Sequence, residues 1–369
     1  MIRKYYTGSL LFTAVCLGLA AWLGWSRTGT VMGTLDVVWI VVVLGVLEVS
    51  LSFDNAVVNA TVLEDMEPVW RRRFLTWGML FAVFGMRIVF PLAIVAVAAG
   101  LGPVETVKLA ATNPEEYERI ITAAHVGISG FGGAFLAMVG LKFFFDQEKE
   151  DHWIEIIEKR LSRFGSVQAL EIGLVLVALV GMSYLLPHEE GSTLILSGIF
   201  GLLAFILVEA INSLLEPEND VTHQVTGTVV RSGLAGFLYL NMIDSAFSFD
   251  GVIGAFALSN NIFVIALGLG IGAMFVRSMT IMLVDQGTLA QYRYLEHGAF
   301  WAILALAAIM LITARYHVPE AVTGLIGAVL IGLSLVGSIR YNRRNSSGVE
   351  RDKPEEPIGP DGNQLHIEP

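Results

Sequence analysis

Residues 48–55 read Glu-Val-Ser-Leu-Ser-Phe-Asp-Asn, and residues 244–251 read Asp-Ser-Ala-Phe-Ser-Phe-Asp-Gly. Each phrase opens on an acid, carries Ser-Phe-Asp, and places its second acid six residues after the first, at 54 and at 250. Both lie inside apolar runs, about 36–63 and 230–258. Roughly 20 apolar residues suffice to cross a bilayer. A carboxylate at the bilayer centre costs about 2.5–3.5 kcal/mol. Four such acids in two matched pairs point to a functional site.

Composition agrees with a membrane setting. The 369 residues are 54% hydrophobic and 15% charged, with a mean hydropathy of +0.66, whereas soluble domains carry about 25% charged residues. The expected class is an all-α, polytopic helical membrane protein whose first partner is the lipid bilayer. The single cysteine, Cys16, sits in an apolar run and excludes a disulfide framework or a Cys-based metal site. The formal charge of −11 excludes a polybasic nucleic-acid binder and suits attraction of cations.

Ten apolar runs are candidate spans, at about 8–25, 36–63, 73–100, 120–143, 168–186, 193–214, 230–258, 261–284, 299–314 and 319–339. Arg3 and Lys4 before the first run resemble a signal peptide, but Trp22 and Trp25 fill its end without a small-x-small cleavage site. A retained first helix is expected. With ten spans, Lys4, Arg71–Arg73, Lys159, Arg160, Arg163, Arg293, Arg340, Arg343 and Arg344 fall on one side. Basic loops face the cytoplasm, so both termini are expected there. The segment 146–164 spaces Trp153, Ile157, Leu161 and Phe164 as a helix, with Glu155, Glu158 and Arg160 between them. It reads as an amphipathic helix on the cytoplasmic surface, or as a solvated linker helix. The stretch 341–369 has no apolar period and four prolines, and is expected to be a disordered cytoplasmic tail.

The two motif runs, second and seventh, stand an odd number of spans apart and so cross in opposite directions. The chain is therefore expected to divide into a five-plus-five inverted repeat, 1–190 and 191–340, an architecture used by secondary transporters. Gly78 precedes Arg87 by nine residues, as Gly268 precedes Arg277, and His125 and His297 open the fourth and ninth runs. The two histidines read more simply as interfacial. Gly127, Gly130, Gly132 and Gly133 suit close helix contact. Glu209 and Asn212 lie near the cytoplasmic end of the sixth run, as gate or interfacial residues.

On a continuous helix Glu48, Ser52, Asn55 and Asn59 share one face, as do Asp244, Ser248, Gly251 and Ala255, with Asn241 one turn earlier. The second acid of each copy is about 9 Å along and about 120° around. Either each helix serves two sides of a site, or it unwinds near Ser-Phe-Asp. Gly251 and Gly254 favour unwinding in the second copy, and the first copy has no such residue. Glu48, Asp54, Asp244 and Asp250 against Arg87 and Arg277 leave a formal −2, enough for one divalent cation or two protons. Carboxylates, the Asn55 amide and the Ser52 and Ser248 hydroxyls are oxygen donors suited to Mn²⁺, Ca²⁺ or Mg²⁺. Buried salt bridges that fix helix packing are the alternative reading.

At these residues the sequence resembles the TerC/Alx family of bacterial membrane proteins, named for tellurite resistance. The resemblance rests on Glu48…Asp54-Asn55 and Asp244…Asp250 and covers roughly 36–100 and 230–285. It implies a transporter of the LysE-like superfamily in the bacterial inner membrane. Mn²⁺ export is the implied activity, with Glu48, Asp54, Asn55, Asp244 and Asp250 as metal ligands and no permanently bound cofactor. Ser52, Ser248, Asn59, Asn241, Arg87 and Arg277 are the supporting residues. The chain departs from the family pattern after its second motif, where Asp250-Gly251-Val252-Ile253-Gly254 lacks the family's proline. Two other readings stand beside the transporter, which is not an enzyme. One is an accessory protein of a stress or secretion complex with structural acids. The other is an intramembrane aspartyl protease, which the absence of Gly-x-Gly-Asp before either aspartate disfavours.

Overall fold

An apolar chain inside a bilayer has no water to satisfy its backbone, so it closes its hydrogen bonds along helices. The computed structural model describes residues 2–64, 66–78, 81–147, 149, 151–165, 167, 169–215, 233–316 and 318–349, and among them there is no strand. After a one-turn helix the order is α1 (Thr7–Thr28), α2 (Val31–Leu51), α3 (Phe53–Glu64) and α4 (Pro68–Arg73). Two π-helical stretches follow, Phe74–Gly78 and Phe81–Val89, and then α5 (Phe90–Ala99), α6 (Pro103–Thr112), α7 (Pro114–Ala123) and α8 (His125–Phe145). The remainder is α9 (Glu155–Phe164), α10 (Leu170–Ser183), α11 (His188–Leu215), α12 (Gly233–Ala255), α13 (Ile262–Asp285), α14 (Leu295–Thr313) and α15 (Glu320–Val349).

This is a multi-pass helical membrane protein. Among the described residues, seven helices are long and apolar enough to cross a bilayer: α1, α2, α8, α11, α13, α14 and α15. The pair Phe84–Ala99 and Pro103–Thr112, bent by 102°, makes eight if counted as one span. Ten full spans are thus not seen. The fifth run forms only the 14-residue α10, about 21 Å long against a hydrocarbon core of about 30 Å. The last helix continues to Val349, past the expected tail boundary at Tyr341, while residues 350–369 lie outside the described residues.

Large apolar side chains face outward along α1 (Leu11, Trp22), α2 (Trp39), α10 (Val177), α11 (Leu207) and α15 (Leu325), as lipid contact requires. Inside, α8 packs between α11 and α14. The glycines of α8 permit this: a Cβ at Gly130 would lie 2.7 Å from the Leu194 carbonyl of α11, and one at Gly133 2.9 Å from the Leu311 side chain of α14. α1 packs on α2 and α13, where the Ser9 hydroxyl meets the Met274 carbonyl and the Ser278 hydroxyl at 2.7 Å each. The halves exchange partners. α2 and α3 lie on α13, whereas α12 lies on the π-helical stretch 81–89. α3 also meets α14 as α12 meets α8.

Candidate cation site between the motif helices

The first motif breaks its helix. α2 ends at Leu51, and Ser52 (φ −102°, ψ 21°) donates its N–H to the Glu48 carbonyl at 2.9 Å. α3 then starts at Phe53 with Asp54 in its first turn, whose carboxylate accepts the Asn55 N–H at 2.9 Å. An acid there satisfies a donor that the helix start leaves open and complements the helix dipole. The second motif runs unbroken through α12. The sequence left both possibilities open and offered Gly251 and Gly254 as the place where unwinding was plausible. Gly251 does not loosen α12; its missing side chain makes room for Glu48, whose Oε2 would be 3.1 Å from a Cβ there.

Two contacts fix how the motifs face each other. Glu48 meets Gly251, and the Asn55 amide donates to Asp244 Oδ1 at 2.7 Å. Residue numbers rise along one helix as they fall along the other, so the motif helices run antiparallel. In each contact the leading acid of one copy meets the residue seven positions after the leading acid of the other. The phrase is therefore repeated in contacts as well as in letters.

The acids do not share one environment. Glu48 is buried, rests its side chain on Gly272 of α13, and forms a buried ion pair with Arg87 of the π-helical stretch. Asp54 is also buried but turns toward α15, where a Cβ at Gly327 would lie 3.1 Å from its carboxyl carbon. Asp244 is buried, and its Oδ2 has no hydrogen-bond partner among the described residues. Asp250 lies on α12, and its side chain falls outside the described residues. Among the described residues Arg277 pairs with no acid: its Nε and a terminal nitrogen donate to the Leu75 carbonyl at 2.9 and 2.7 Å. The expected symmetry of the two arginines ends there.

Around Asp244 the orphaned acceptors gather. Asn55 Oδ1, Asn59 Oδ1, Asn241 Oδ1, Asp244 Oδ2 and Ser248 Oγ are buried without a partner among the described residues. Asn59 is fully buried beside Asp244, within side-chain hydrogen-bonding reach of its carboxylate, and its amide oxygen has no partner among the described residues. Asn241 uses its amide N–H on the Phe237 carbonyl at 2.7 Å, which leaves its oxygen free. An unsatisfied buried polar group costs about 1–3 kcal/mol, so a stripe of five needs a reason. Among the described residues no three His, Cys, Asp or Glu side chains gather to hold a metal ion. The donors here are mostly amide and hydroxyl oxygens, which suit a hard cation.

The remaining residues divide. His125 meets Ser129 at 3.4 Å, whereas His297 is buried against Glu158 with Nδ1 2.8 Å from Oε2; they are not a matched pair. Glu209 lies 3.9 Å from Lys142, and the Asn212 side chain falls outside the described residues. Glu158, read from sequence as a solvated residue of α9, is buried. It accepts from Trp301 Nε1 and the Trp153 N–H at 2.9 Å and the Ile154 N–H at 3.2 Å. Burial pushes its carboxyl up, but the hydrogen bonds from His297 and Trp301 outweigh that and hold it at about 2. Spacing set Glu158 among the polar residues between Trp153, Ile157, Leu161 and Phe164; the packing of α14 alongside turns it inward.

A family model described as a protein of unknown function, DUF475, matches residues 53–345. The chain belongs to the DUF475 family. That match takes in Asp54, Asn55, Asn59 and all of α12 and begins just after Glu48. No curated protein matches the chain, and no solved structure does.

Proposed function

We propose that this DUF475 protein is a secondary transporter that exports a divalent metal cation, with Mn²⁺ as the favoured substrate. The observation that carries this reading is the stripe of five buried, unpartnered oxygens on antiparallel motif helices. A cation seated there would satisfy acceptors that no described residue satisfies. Glu48 is matched by Arg87, so Asp54 and Asp244 remain as described buried carboxylates without a salt bridge, a formal −2 that one divalent ion balances. The reading assigns Asp244 as the charged ligand. Asn55, Asn59, Asn241 and Ser248 supply neutral oxygens, Asp54 and Asp250 border the site, and protons are the exchanged ion.

The resemblance to TerC-like proteins supports the same substrate, and the reciprocal packing of the two halves supports an inverted repeat. In that arrangement a site between broken and unbroken motif helices opens to each side as one half rocks on the other. The protein is then not an enzyme, and it works in the bacterial inner membrane with both termini cytoplasmic. The test is Mn²⁺ movement into everted vesicles carrying wild-type protein or Asp244→Asn. The reading expects loss of movement at equal membrane insertion, and unchanged movement removes it.

A further inference from the structure

α9 has a fixed inner face, because Glu158 is buried against His297 and Trp301 at the start of α14. Helical geometry, at 100° per residue, then sets what points away from the bundle. Ile156, Arg160 and Arg163 lie opposite Glu158. Lys159 flanks them on one side, and Ile157 and Phe164 on the other. The burial pattern agrees. Ile156 is 73% exposed, and Ile157, Lys159, Arg160, Arg163, Phe164 and Val167 are all exposed. Glu155 is the exposed acid of this helix and is already paired with Lys159. The outer surface therefore has an apolar flank beside a basic one.

The location agrees with a bilayer surface. α9 lies between the end of α8 and the start of α10, which exposes the apolar Leu174, Val177 and Val180. Other chain ends meet at the same level. Arg293 pairs with Asp151 and donates to the Tyr341 hydroxyl at 2.7 Å, and Lys4 pairs with Asp285 at 3.0 Å.

We propose that the outer face of α9 is a docking surface for anionic lipid headgroups. Ile156, Ile157 and Phe164 sink into the interface, while Arg160 meets the phosphates and Lys159, held by Glu155, and Arg163 add positive charge beside it. Charge complementarity and the exposed apolar side chains of the neighbouring α10 select this occupant over a second copy or a solvated helix. A basic residue near an anionic leaflet contributes about a fivefold preference. Glu158 is the fixed point that keeps this face outward, so lipid engagement is tied to α14.

The test uses the full chain in nanodiscs, with a polarity-sensitive fluorophore on Ile156→Cys; the native Cys16 is buried. In discs containing anionic lipid, the label is expected to be shielded from acrylamide and quenched by spin-labelled headgroups. Both effects are expected to weaken several-fold in purely zwitterionic discs. The triple variant K159E/R160E/R163E is expected to remove the difference between the two lipids. Hydrogen exchange over 155–164 of the unlabelled protein, slower in anionic discs, is the independent readout. Equal acrylamide access in both lipids overturns the proposal, as does shielding that ignores lipid charge. Shielding in detergent that grows with protein concentration also overturns it, by assigning the face to a second copy.

Discussion

The first motif helix is broken at Ser52 and its leading acid, Glu48, is neutralised by Arg87; the second is unbroken from Gly233 to Ala255 and its leading acid, Asp244, meets an amide instead of a cation. One phrase has thus been used in two ways. The first copy holds a closed ion pair that locks α2 to the π-helical stretch. The second keeps an acid with an open oxygen among other open oxygens. Arg277, the counterpart of Arg87, donates instead to the Leu75 carbonyl, so the positive charge felt at Asp244 comes from Arg87, without a salt bridge. Asymmetry between copies, more than the repeat itself, separates structural charge from charge available to a ligand.

The comparison breaks most sharply when the same change is made in both copies. Glu48→Gln leaves Arg87 buried without its acid, and losing one member of a buried pair costs about 3–5 kcal/mol. Asp244→Asn keeps an oxygen for the Asn55 amide and is expected to change stability by less than about 1 kcal/mol. Chemical denaturation in detergent distinguishes them, and equal losses would erase the assigned division of roles. The arginines come next. Arg277→Gln removes charged hydrogen bonds to a carbonyl, with an expected cost of about 1.5–3 kcal/mol, below that of Arg87→Gln; melting curves in one detergent rank the two. Among glycines, Gly327→Ala drives a methyl onto the Asp54 carboxylate and is expected to cost about 1–3 kcal/mol, whereas Gly251→Ala meets Glu48 at 3.1 Å and costs less. Thermal shifts that reverse this order would place Asp54 elsewhere.

The smallest effect concerns a region outside both motifs. Glu158, held at about 2 against an ordinary carboxylate value of 4.5, binds its proton less readily in the folded chain than in the unfolded one. Its contribution is therefore complete above pH ~4.5 and is lost as pH falls toward about 2. Between those values, hydrogen exchange over 151–165 is expected to quicken in the wild type, and Glu158→Gln is expected to flatten that dependence.

Much of this was legible. The doubled phrase and the apolar runs led to a polytopic helical protein, which the all-helical fold with its long apolar helices bears out, and the two phrases meet through Glu48–Gly251 and Asn55–Asp244. The stripe of Asn55, Asn59, Asn241, Asp244 and Ser248 was readable from helical spacing. The place of the helix break was not, because glycine content suggests where a helix is weak but not where tertiary packing fills the gap. Gly251 is filled by Glu48, while Ser52 gives way beside an acid that can start the next helix. Nor could spacing reveal that Arg277 would choose a backbone carbonyl, or that Glu158 would turn inward; both depend on which element packs alongside. The bend of 102° after Ala99, the short α10 and the polar residues of α12, which is not among the long apolar helices, explain why ten apolar runs do not give ten long spans.

The central claim is that the unpartnered oxygens beside Asp244 hold the transported cation. Its most direct test is Mn²⁺ binding to purified protein, followed by electron paramagnetic resonance, in wild type, Asp244→Asn and Asn59→Leu. Asn59→Leu removes an unsatisfied buried amide and is expected to melt no lower than wild type. Wild type is expected to bind Mn²⁺, and both variants to lose binding while remaining folded. Undiminished Mn²⁺ binding in both would contradict it.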